Sequence, residues 1–408
     1  MHKNIKIITY TNFPFGGASA NFLRYFSLSL IHQKNCVEVL LPTGGYFGNK
    51  IDINIKRKGE IEKIKFRHLG FIKHPRNYFG KFIDNTFGLF LPMIHLCIQQ
   101  YFKKTDIIIS YDITFVNTLL QLITKIITKS QFIIILPEYY EKPNNKLFTL
   151  ALLKWYNFYF GMKYLIKYAD KYIVASTYLK KLLKMKIKKD IDVLVLPNLI
   201  DPSSFSIKTN KHNQKGKITI GYTGIPTRKD GVIDLIKSFR ILNEIYPKTH
   251  LLLIGDITNG NSLIPYLKKY AGNLKILKNI TFKGLVSYKE IPELLQSCDI
   301  LTLTRPSGIF AQAGFPTKLG EYFACKKPVV ITSVGDIPFY FQNEKHVILV
   351  KPEDIYSIVN GFEKLILNKK LSKRLCKNAY IWMNENLNYK NVSRKIDHFI
   401  KMEKRCAE

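Results

Sequence analysis

Strands and helices alternate along almost the whole chain, and this pattern restricts the fold more than any other feature of the sequence. Short runs rich in Ile, Val and Leu predict strands, and longer segments with helical spacing separate them. Such alternation favours an α/β fold in which helices cover both faces of a mostly parallel sheet. In the first half the predicted strands are Ile5–Tyr10, Val37–Leu41, Asp106–Tyr111, Phe132–Leu136, Lys171–Ala175 and Asp192–Leu196.

A polar segment divides this pattern in two. The sequence DPSSFSIKTNKHNQKGK follows Pro197-Asn198 and is too polar to pack into a core, and a new strand begins at Ile218. A chain of 408 residues also exceeds what one hydrophobic core usually organises. We therefore predict a first domain over residues 1–198, a linker over 199–217, a second domain over 218–384 and a C-terminal segment over 385–408.

The spacing of the cysteines and the sequence of the N-terminus indicate the cellular compartment in which the protein is expected. The six cysteines form neither a C-x-x-C pair nor a dense framework, so we expect no disulfide scaffold and no metal site. The N-terminus runs directly into a predicted strand, without the apolar core of a signal peptide, which favours a cytoplasmic protein. The apolar stretch Asn85–Phe102 contains Pro92, His95 and two glutamines, and it predicts a buried helix rather than a membrane span.

The segment Gly284–Thr332 contains a Pro-Thr-Lys-x-x-Glu core. If Pro316 opens a helix, the free amides and positive dipole end there favour a phosphate, and Lys318 adds a full charge. Thr317 and Glu321 lie on the same face of this helix, roughly 6 Å apart along its axis. The Thr317 hydroxyl would then face a phosphate and the Glu321 carboxylate the ribose hydroxyls, so that the two side chains hold one nucleotide. On spacing alone, an ordinary surface helix with a proline start explains the pattern equally well.

The sequence around this core resembles the nucleotide-sugar half of retaining glycosyltransferases of the GT-B fold, especially family 4. Ile220–Ile241 is similar to the opening strand, loop and helix of that family's C-terminal domain, and Leu251–Gly255 is similar to its second strand. Ile280–Val286 and Cys298–Pro306 match the later strands. The resemblance implies two Rossmann-like, doubly wound domains that face a cleft, with a C-terminal helix at Tyr389–Met402 that crosses back onto the first domain.

The resemblance also implies roles for individual residues. Arg228 and Lys229 occupy the loop whose basic residue meets the donor diphosphate in the family, and backbone near Leu285 and Val286 corresponds to the part that meets the base. Lys229 and Lys318 would clamp the diphosphate. The carboxylate of Glu321 would bind the ribose, the donor would be a UDP- or GDP-linked sugar, and no cofactor is required.

Two positions depart from the family pattern. Many members carry a Glu-x7-Glu pair whose first Glu faces the donor hexose, but this chain has Ala313 eight positions before Glu321. The loop Gly308–Phe315 would then hold the sugar with backbone amides or Gln312. Ile225 stands where many relatives have an arginine, for which Arg228 is a candidate substitute.

Candidate residues also occur in the first half. Gly16 and Gly17 follow the first strand, where open α/β sheets bind ligands, although a Gly-Gly turn alone is more often only structural. A retaining transfer of this type needs no double-displacement nucleophile, so electrostatic stabilisation of the leaving diphosphate carries most of the catalysis. Glu138 is the best acidic candidate near an acceptor, with Glu141 behind it, although either residue would also serve as a helix cap or lysine partner.

A formal net charge of +33 predicts anionic partners. Between Phe148 and Lys189, aromatic residues and lysines interleave at roughly helical spacing, which is typical of a helix on an anionic membrane surface. Lys180, Lys181 and Lys184 would then contact lipid. The alternative is a core-packing helix beside a solvated basic one.

Together these features predict a hexosyltransferase. It would move a sugar, with retention, from a nucleotide diphosphate sugar to a lipid-linked or saccharide acceptor during cell-surface glycan assembly, at the inner face of the cell membrane. A nucleic-acid-binding protein is an alternative suggested only by the charge, but no helix-turn-helix, zinc or aromatic ribonucleoprotein signature occurs, so we expect no nucleic acid partner. A GT-B nucleotide-sugar epimerase is a second alternative, for which no matching acidic and histidine set is found.

Overall fold

The computed structural model describes residues 2–44, 56–73, 75, 77–143, 149–206, 216–257 and 262–402, without the side chains of Leu150 and Arg228. The chain divides into two compact units. The first unit is Met1–Leu199 with Tyr389–Glu408, and the second unit is Ile200–Asn388. Of the predicted linker, residues 207–215 lie outside the described residues, and residues 200–205 belong to the second unit.

The first unit is built on an eight-stranded sheet of order β3-β4-β2-β1-β5-β6-β7-β8. Its central strands are continuous apolar runs because helices cover both faces of a parallel sheet, and β3 is the one described strand that runs antiparallel to its neighbour. The strands are β1 (Asn4–Ile8), β2 (Cys36–Leu41), β3 (Lys58–Ile61), β4 (Ile64–His68), β5 (Ile107–Tyr111), β6 (Gln131–Leu136), β7 (Lys171–Val174) and β8 (Asp192–Val195). The helices are α1 (Ala18–His32), α2 (Tyr78–Thr86), α3 (Leu91–Gln99), α4 (Phe115–Thr128), α5 (Leu150–Phe160) and α6 (Thr177–Lys186).

The second unit is built on a parallel six-stranded sheet of order β11-β10-β9-β12-β13-β14. Its strands are β9 (Ile218–Thr223), β10 (Thr249–Ile254), β11 (Ile280–Gly284), β12 (Ile300–Leu303), β13 (Val329–Thr332) and β14 (Ile348–Val350). Its helices are α7 (Val232–Ile245), α8 (Ile264–Asn273), α9 (Ile291–Gln296), α10 (Ile309–Ala313), α11 (Thr317–Ala324), α12 (Ile337–Tyr340), α13 (Ile355–Leu367) and α14 (Lys369–Asn386).

Two features of the first unit differ from the sequence-based expectation. The β3–β4 hairpin was not predicted, because its sequence is rich in Lys, Arg and Glu rather than in β-branched residues. The prediction of a buried helix over Asn85–Phe102 is wrong. This stretch forms the short turn Phe87–Phe90 and α3, and six of its large apolar side chains are exposed: Phe87, Phe90, Ile94, Ile98, Tyr101 and Phe102. Among the described residues, no helix is both long and apolar enough to cross a membrane.

The last helix, α15 (Tyr389–Lys401), packs on α1 of the first unit. Gln33 donates a 2.8 Å hydrogen bond to Ser393 Oγ, and Asn35 donates one of 2.7 Å to Asp397 Oδ1. Lys171, which is fully buried in β7, donates from Nζ to the backbone oxygens of Phe399 (2.6 Å) and Met402. Since the last carbonyls of a helix have no intrahelical partners, this ammonium caps the C-terminus of α15.

We predict that Lys171→Met loosens α15, because methionine fills the same space but leaves the terminal carbonyls without a donor. The free energy of unfolding should fall by about 1.5 to 3 kcal/mol, and amide hydrogen exchange should accelerate in α15 more than elsewhere. Urea unfolding and hydrogen-exchange mass spectrometry measure the two effects. Lys167→Met, at an exposed lysine nearby, is the matched control. Unchanged exchange in α15 would show that the Lys171 cap does not hold this helix.

Candidate functional site

The order of strands reverses between β9 and β12 in the second unit. At such a switch point the connections leave in opposite directions, so a crevice opens outside the carboxyl ends of the two strands, where open α/β sheets bind ligands. The loop that follows β9, residues 224–231, and the residues that follow β12, Thr304 and Arg305, lie at these ends. This crevice is the candidate site of the second unit.

A buried carboxylate, Asp230, lies at the centre of the site. Arg305 Nε is 3.4 Å from Asp230 Oδ1, and the ammonium of Lys318 forms an ion pair with Oδ2. Tyr222 donates a 2.7 Å hydrogen bond to the same Oδ2. One carboxylate therefore holds together a strand, two loops and the first turn of α11.

The charges of this cluster stabilise one another. Burial alone would raise the pKa of Asp230, but the charges of Lys318 and Arg305 outweigh burial and hold that pKa below its usual value. For Lys318, burial lowers the pKa and the charge of Asp230 opposes this. In the ion-paired state of this cluster, two cations face one carboxylate and leave a net positive charge.

Glycine at position 224 allows Lys318 to reach the carboxylate. Gly224 has a φ of +133°, and a Cβ at this position would overlap the Lys318 ammonium. The ammonium also lies 4.7 Å from the centre of the Tyr222 ring and 3.3 Å from its hydroxyl. Of its three protons, contacts to Asp230 and Tyr222 use two, which leaves one without a contact to the described residues.

Arg305 was not identified from the sequence. Its side chain is 12% exposed, and its Nη1 atom is buried without a hydrogen-bond partner among the described residues. A buried guanidinium donor without an acceptor is costly, so an oxygen atom brought to this position, from a ligand or from water, would lower that cost. Sequence spacing does not reveal this role, because Arg305 lies 75 residues from Asp230.

Helix α11 places the Pro-Thr-Lys-x-x-Glu core at the same crevice. Pro316 precedes the helix instead of forming its first turn, and Thr317 begins it. Glu321 is half-buried one turn later, and burial raises its pKa to about 7 against the opposing charge of Lys318. Tyr322 fixes the helix to β9, since its hydroxyl accepts a 3.0 Å hydrogen bond from Thr223 N.

Of the other predicted residues of the second unit, some lie beside the Asp230 cluster and others lie farther along the edge of the sheet. Lys229 is exposed on the short helix Arg228–Asp230, next to the central carboxylate. The Arg228 side chain lies outside the described part of the structure. Leu285 is exposed and Val286 half-buried after the edge strand β11, with β10 between them and β9. The structure therefore brings Lys318 to the 228–230 turn but places the expected base-binding residues farther along the sheet edge.

The first unit has its own switch point between β1 and β5. Gly16 and Gly17 are exposed in the loop before α1, and Glu138 is half-buried after β6. The sequence analysis missed Asp112, which follows β5 with a left-handed φ of +77°. Burial raises the pKa of Asp112 to about 6, although it accepts hydrogen bonds from Tyr140 (2.9 Å) and Ile113 N.

Among the described residues, no group of three or more His, Cys, Asp or Glu side chains has the geometry to hold a metal ion.

Part of the chain matches a known protein family. Residues 204–382 match the family "Glycosyl transferases group 1". TuaH of Bacillus subtilis, a glycosyltransferase named for teichuronic acid biosynthesis, is 29% identical over 175 residues, which are 42% of this chain and 42% of TuaH. The chain spans 57%, 42% and 40% of the length of three curated relatives that it matches.

Solved structures match over nearly the whole chain. Sucrose-phosphate synthase from Thermosynechococcus elongatus superposes with a TM-score of 0.76 at 14% identity, covering 98% of each chain. HepE of Anabaena, solved with UDP-glucose, superposes with a TM-score of 0.68 at 15% identity, covering 98% of this chain and 99% of HepE. These likenesses confirm the predicted two-domain α/β fold and the predicted resemblance. The chain therefore has the GT-B fold, and its residues 204–382 match the model of the glycosyl transferases group 1 family.

Proposed function

We propose that this protein transfers a hexose, with retention at the anomeric carbon, from a UDP- or GDP-linked sugar to a saccharide or lipid-linked acceptor. The observation that carries the proposal is the cation pair around Asp230 at the β9–β12 switch point, within the region that matches the glycosyl transferase family. HepE, a structural neighbour, binds UDP-glucose, which supports a nucleotide diphosphate sugar as donor.

Leaving-group stabilisation is assigned to the basic residues. As the bond from the sugar to the diphosphate breaks, negative charge grows on the diphosphate oxygens, and fixed positive charges stabilise that state most when they need not move. Lys318 and the exposed residue Lys229 would do this from two different segments. Arg228 is the third basic residue of this group.

Nucleoside binding is assigned to α11 and to the end of β11. The Glu321 carboxylate would accept the ribose hydroxyls, and the Thr317 hydroxyl with the first amides of α11 would face a phosphate. Backbone near Leu285 and Val286 would meet the base. Position 313 offers no carboxylate for the sugar, because it is a buried alanine, so the exposed Gln312 and the loop amides are the proposed contacts.

On the first unit, Gly16 and Gly17 are proposed to contact the donor phosphate or sugar, and Glu138 the acceptor. Asp112 joins them as a candidate general base, since a pKa of about 6 lies near the working pH that proton transfer favours. Retention needs no covalent intermediate if the acceptor attacks from the face that the diphosphate leaves. We place the reaction in the cytoplasm, at the inner face of the cell membrane, in cell-surface glycan assembly; TuaH, the relative named for teichuronic acid biosynthesis, supports this setting.

A panel of UDP- and GDP-sugars tests the function. We expect one donor to bind by calorimetry and to release its nucleoside diphosphate when acceptor is added, with the α or β configuration of the sugar kept in the product. Conversion of the sugar to its epimer, without transfer, would instead identify an epimerase. Absence of binding to every member of the panel would contradict the proposal.

Lys318→Ala and Glu321→Ala should weaken nucleotide binding in different ways. Loss of the ammonium should cost about 1.5 to 3 kcal/mol of nucleoside diphosphate binding and little of bare nucleoside binding, while loss of the carboxylate should weaken both. Calorimetry with the two ligands separates the effects, and circular dichroism checks folding. Equal losses of both ligands in Lys318→Ala would remove this residue from the diphosphate site.

Nucleoside affinity should rise with pH through about 7, because the raised pKa of Glu321 keeps its carboxyl protonated below that value and only the carboxylate accepts from both ribose hydroxyls. Bare nucleoside is the required ligand, since the phosphates of a nucleotide titrate in the same range. Titrations between about pH 5.5 and 8 measure the change, and Glu321→Gln should flatten it. A pH-independent affinity in the wild type would contradict the ribose assignment.

Lys229→Ala should lower turnover by at least roughly 100-fold at saturating donor, because a charge felt more in the transition state than in the ground state changes kcat. Steady-state kinetics under saturating acceptor measures it. Lys268→Ala, at an exposed lysine on α8 of the same unit, is the control and should leave kcat unchanged. Wild-type turnover in Lys229→Ala would exclude this lysine from the mechanism.

A further inference from the structure

Helix α4 of the first unit has its polar and apolar sides reversed relative to an ordinary surface helix. Five residues of α4 are buried against the protein, and four of them are polar: Thr118, Gln121, Thr124 and Thr128, with Leu120 as the apolar one. The Thr118 hydroxyl and both amide atoms of Gln121 are buried without hydrogen-bond partners among the described residues. The outer side is apolar, with exposed side chains at helical spacing: Val116, Leu119, Ile123, Ile126 (74% exposed) and Ile127 (55%).

The neighbours of α4 extend this apolar surface. Helix α3 and the turn Phe87–Phe90 pack on one part of α4, and α5 packs on another. These elements, α2, and the residues that follow α3 and α5 also expose large apolar side chains: Tyr78, Phe79, Phe82, Phe87, Phe90, Ile94, Ile98, Tyr101, Phe102, Leu153, Phe160, Tyr164 and Tyr168. Soluble monomers rarely expose so much apolar surface together, and a surface of this kind marks a binding face. We name it the α2–α5 face.

Charge on the α2–α5 face is mainly positive. Its segments, residues 77–104, 115–129 and 149–168, contain eight lysines and one acid, Asp84. One of these lysines, Lys125, is neutralised by Asp170, which lies just beyond the segments at 2.9 Å. Asp84 is buried and accepts hydrogen bonds from Gly44 N at 2.9 and 3.1 Å, so it contributes nothing to the outer surface. Several lysines lie over aromatic rings, such as Lys81 over Tyr78 and Lys163 over Tyr164. The face therefore combines exposed rings, branched aliphatic side chains and positive charge.

We propose that the α2–α5 face is a docking surface for an anionic lipid bilayer, with the outer side of α4 inserted among the acyl chains and the lysines at the headgroup phosphates. A second copy of this chain fits poorly, because its lysines would meet the same lysines across the contact. A bilayer instead offers an apolar layer edged by negative charge, which matches both parts of the face. The proposal rests on the proposed transfer at a membrane and names the surface that makes the contact.

This surface differs from the one that the sequence alone suggests. Helix α6 carries Lys180, Lys181 and Lys184, but it buries Leu179 and Leu183 and exposes mainly lysines, as a soluble surface helix does. The lysines of α6 add to the positive electrostatic field around the protein, but α6 offers no apolar surface that could enter a bilayer. Binding through the α2–α5 face should therefore survive high salt in part, whereas binding through α6 alone should disappear.

Vesicle sedimentation tests the proposal with three variants. One carries Phe79→Ser, Phe82→Ser, Ile126→Ser and Ile127→Ser on the α2–α5 face, and one carries Lys180→Glu, Lys181→Glu and Lys184→Glu on α6. The matched control replaces Phe339, Tyr356 and Leu367 of the second unit by serine, since these are as exposed (75%, 70% and 71%) but lie elsewhere. Vesicles of phosphatidylcholine with and without phosphatidylglycerol are compared at low and high salt.

We expect wild type to bind the anionic vesicles and to keep part of that binding at high salt. The α2–α5 variant should lose at least roughly tenfold in partitioning, the α6 variant much less, and the control nothing. Unchanged binding of nucleoside diphosphate shows that each variant is folded, and it tests the donor site independently of the membrane. If the α2–α5 variant binds the anionic vesicles as well as the wild type does, the proposal is overturned. A wild-type dimer in analytical ultracentrifugation that this variant dissociates would overturn it too, and would assign the face to a second copy.

Discussion

One carboxylate, Asp230, fixes the geometry of the candidate donor site. Its two oxygens hold Arg305 from the end of β12 and Lys318 from α11, and Tyr222 of β9 binds the second oxygen as well. Two cations brought this close without a counter-ion would repel each other and would be costly to bury. With the counter-ion in place they are oriented before any ligand arrives, which is the condition under which fixed charges stabilise a transition state most effectively.

This arrangement also explains why the loop after β9 has its particular sequence. Gly224 provides the space for the Lys318 ammonium, and Gly231, with a φ of +68°, begins α7 where a Cβ would overlap the backbone of Thr304. Lys229, between these glycines, is exposed, while its neighbour Asp230 is buried. The three-residue helix Arg228–Asp230 thus carries both the residue that organises the cations and the one proposed to act on the leaving group.

The sequence predicted the architecture better than the site. Alternating apolar runs identify the central strands of both sheets, since parallel strands buried on two faces need such runs, but the charged β3–β4 hairpin carries no signal of this type. The Pro-Thr-Lys-x-x-Glu core predicts a helix at α11, yet nothing in its spacing shows that Lys318 turns to Asp230, 88 residues earlier. Arg305 and Asp112 were missed for the same reason. Their significance lies in a buried unpaired donor and a left-handed backbone, neither of which is visible in a linear pattern.

Helix α4 shows where hydrophobic periodicity alone leads to a wrong conclusion. Periodicity locates an amphipathic helix and its two sides, but the inference that the apolar side faces the protein assumes that water is the only surrounding medium. In α4 the buried side is the polar one, and the apolar stretch Asn85–Phe102 beside it is exposed for the same reason. If the medium on that side is lipid, the outer side of α4 and the exposed stretch have the same explanation. Their apolar side chains leave water for the acyl chains, and the lysines stay in water at the headgroup phosphates. The large positive charge of the chain then becomes part of the same arrangement, because it draws the α2–α5 face towards an anionic surface before the apolar side chains make contact.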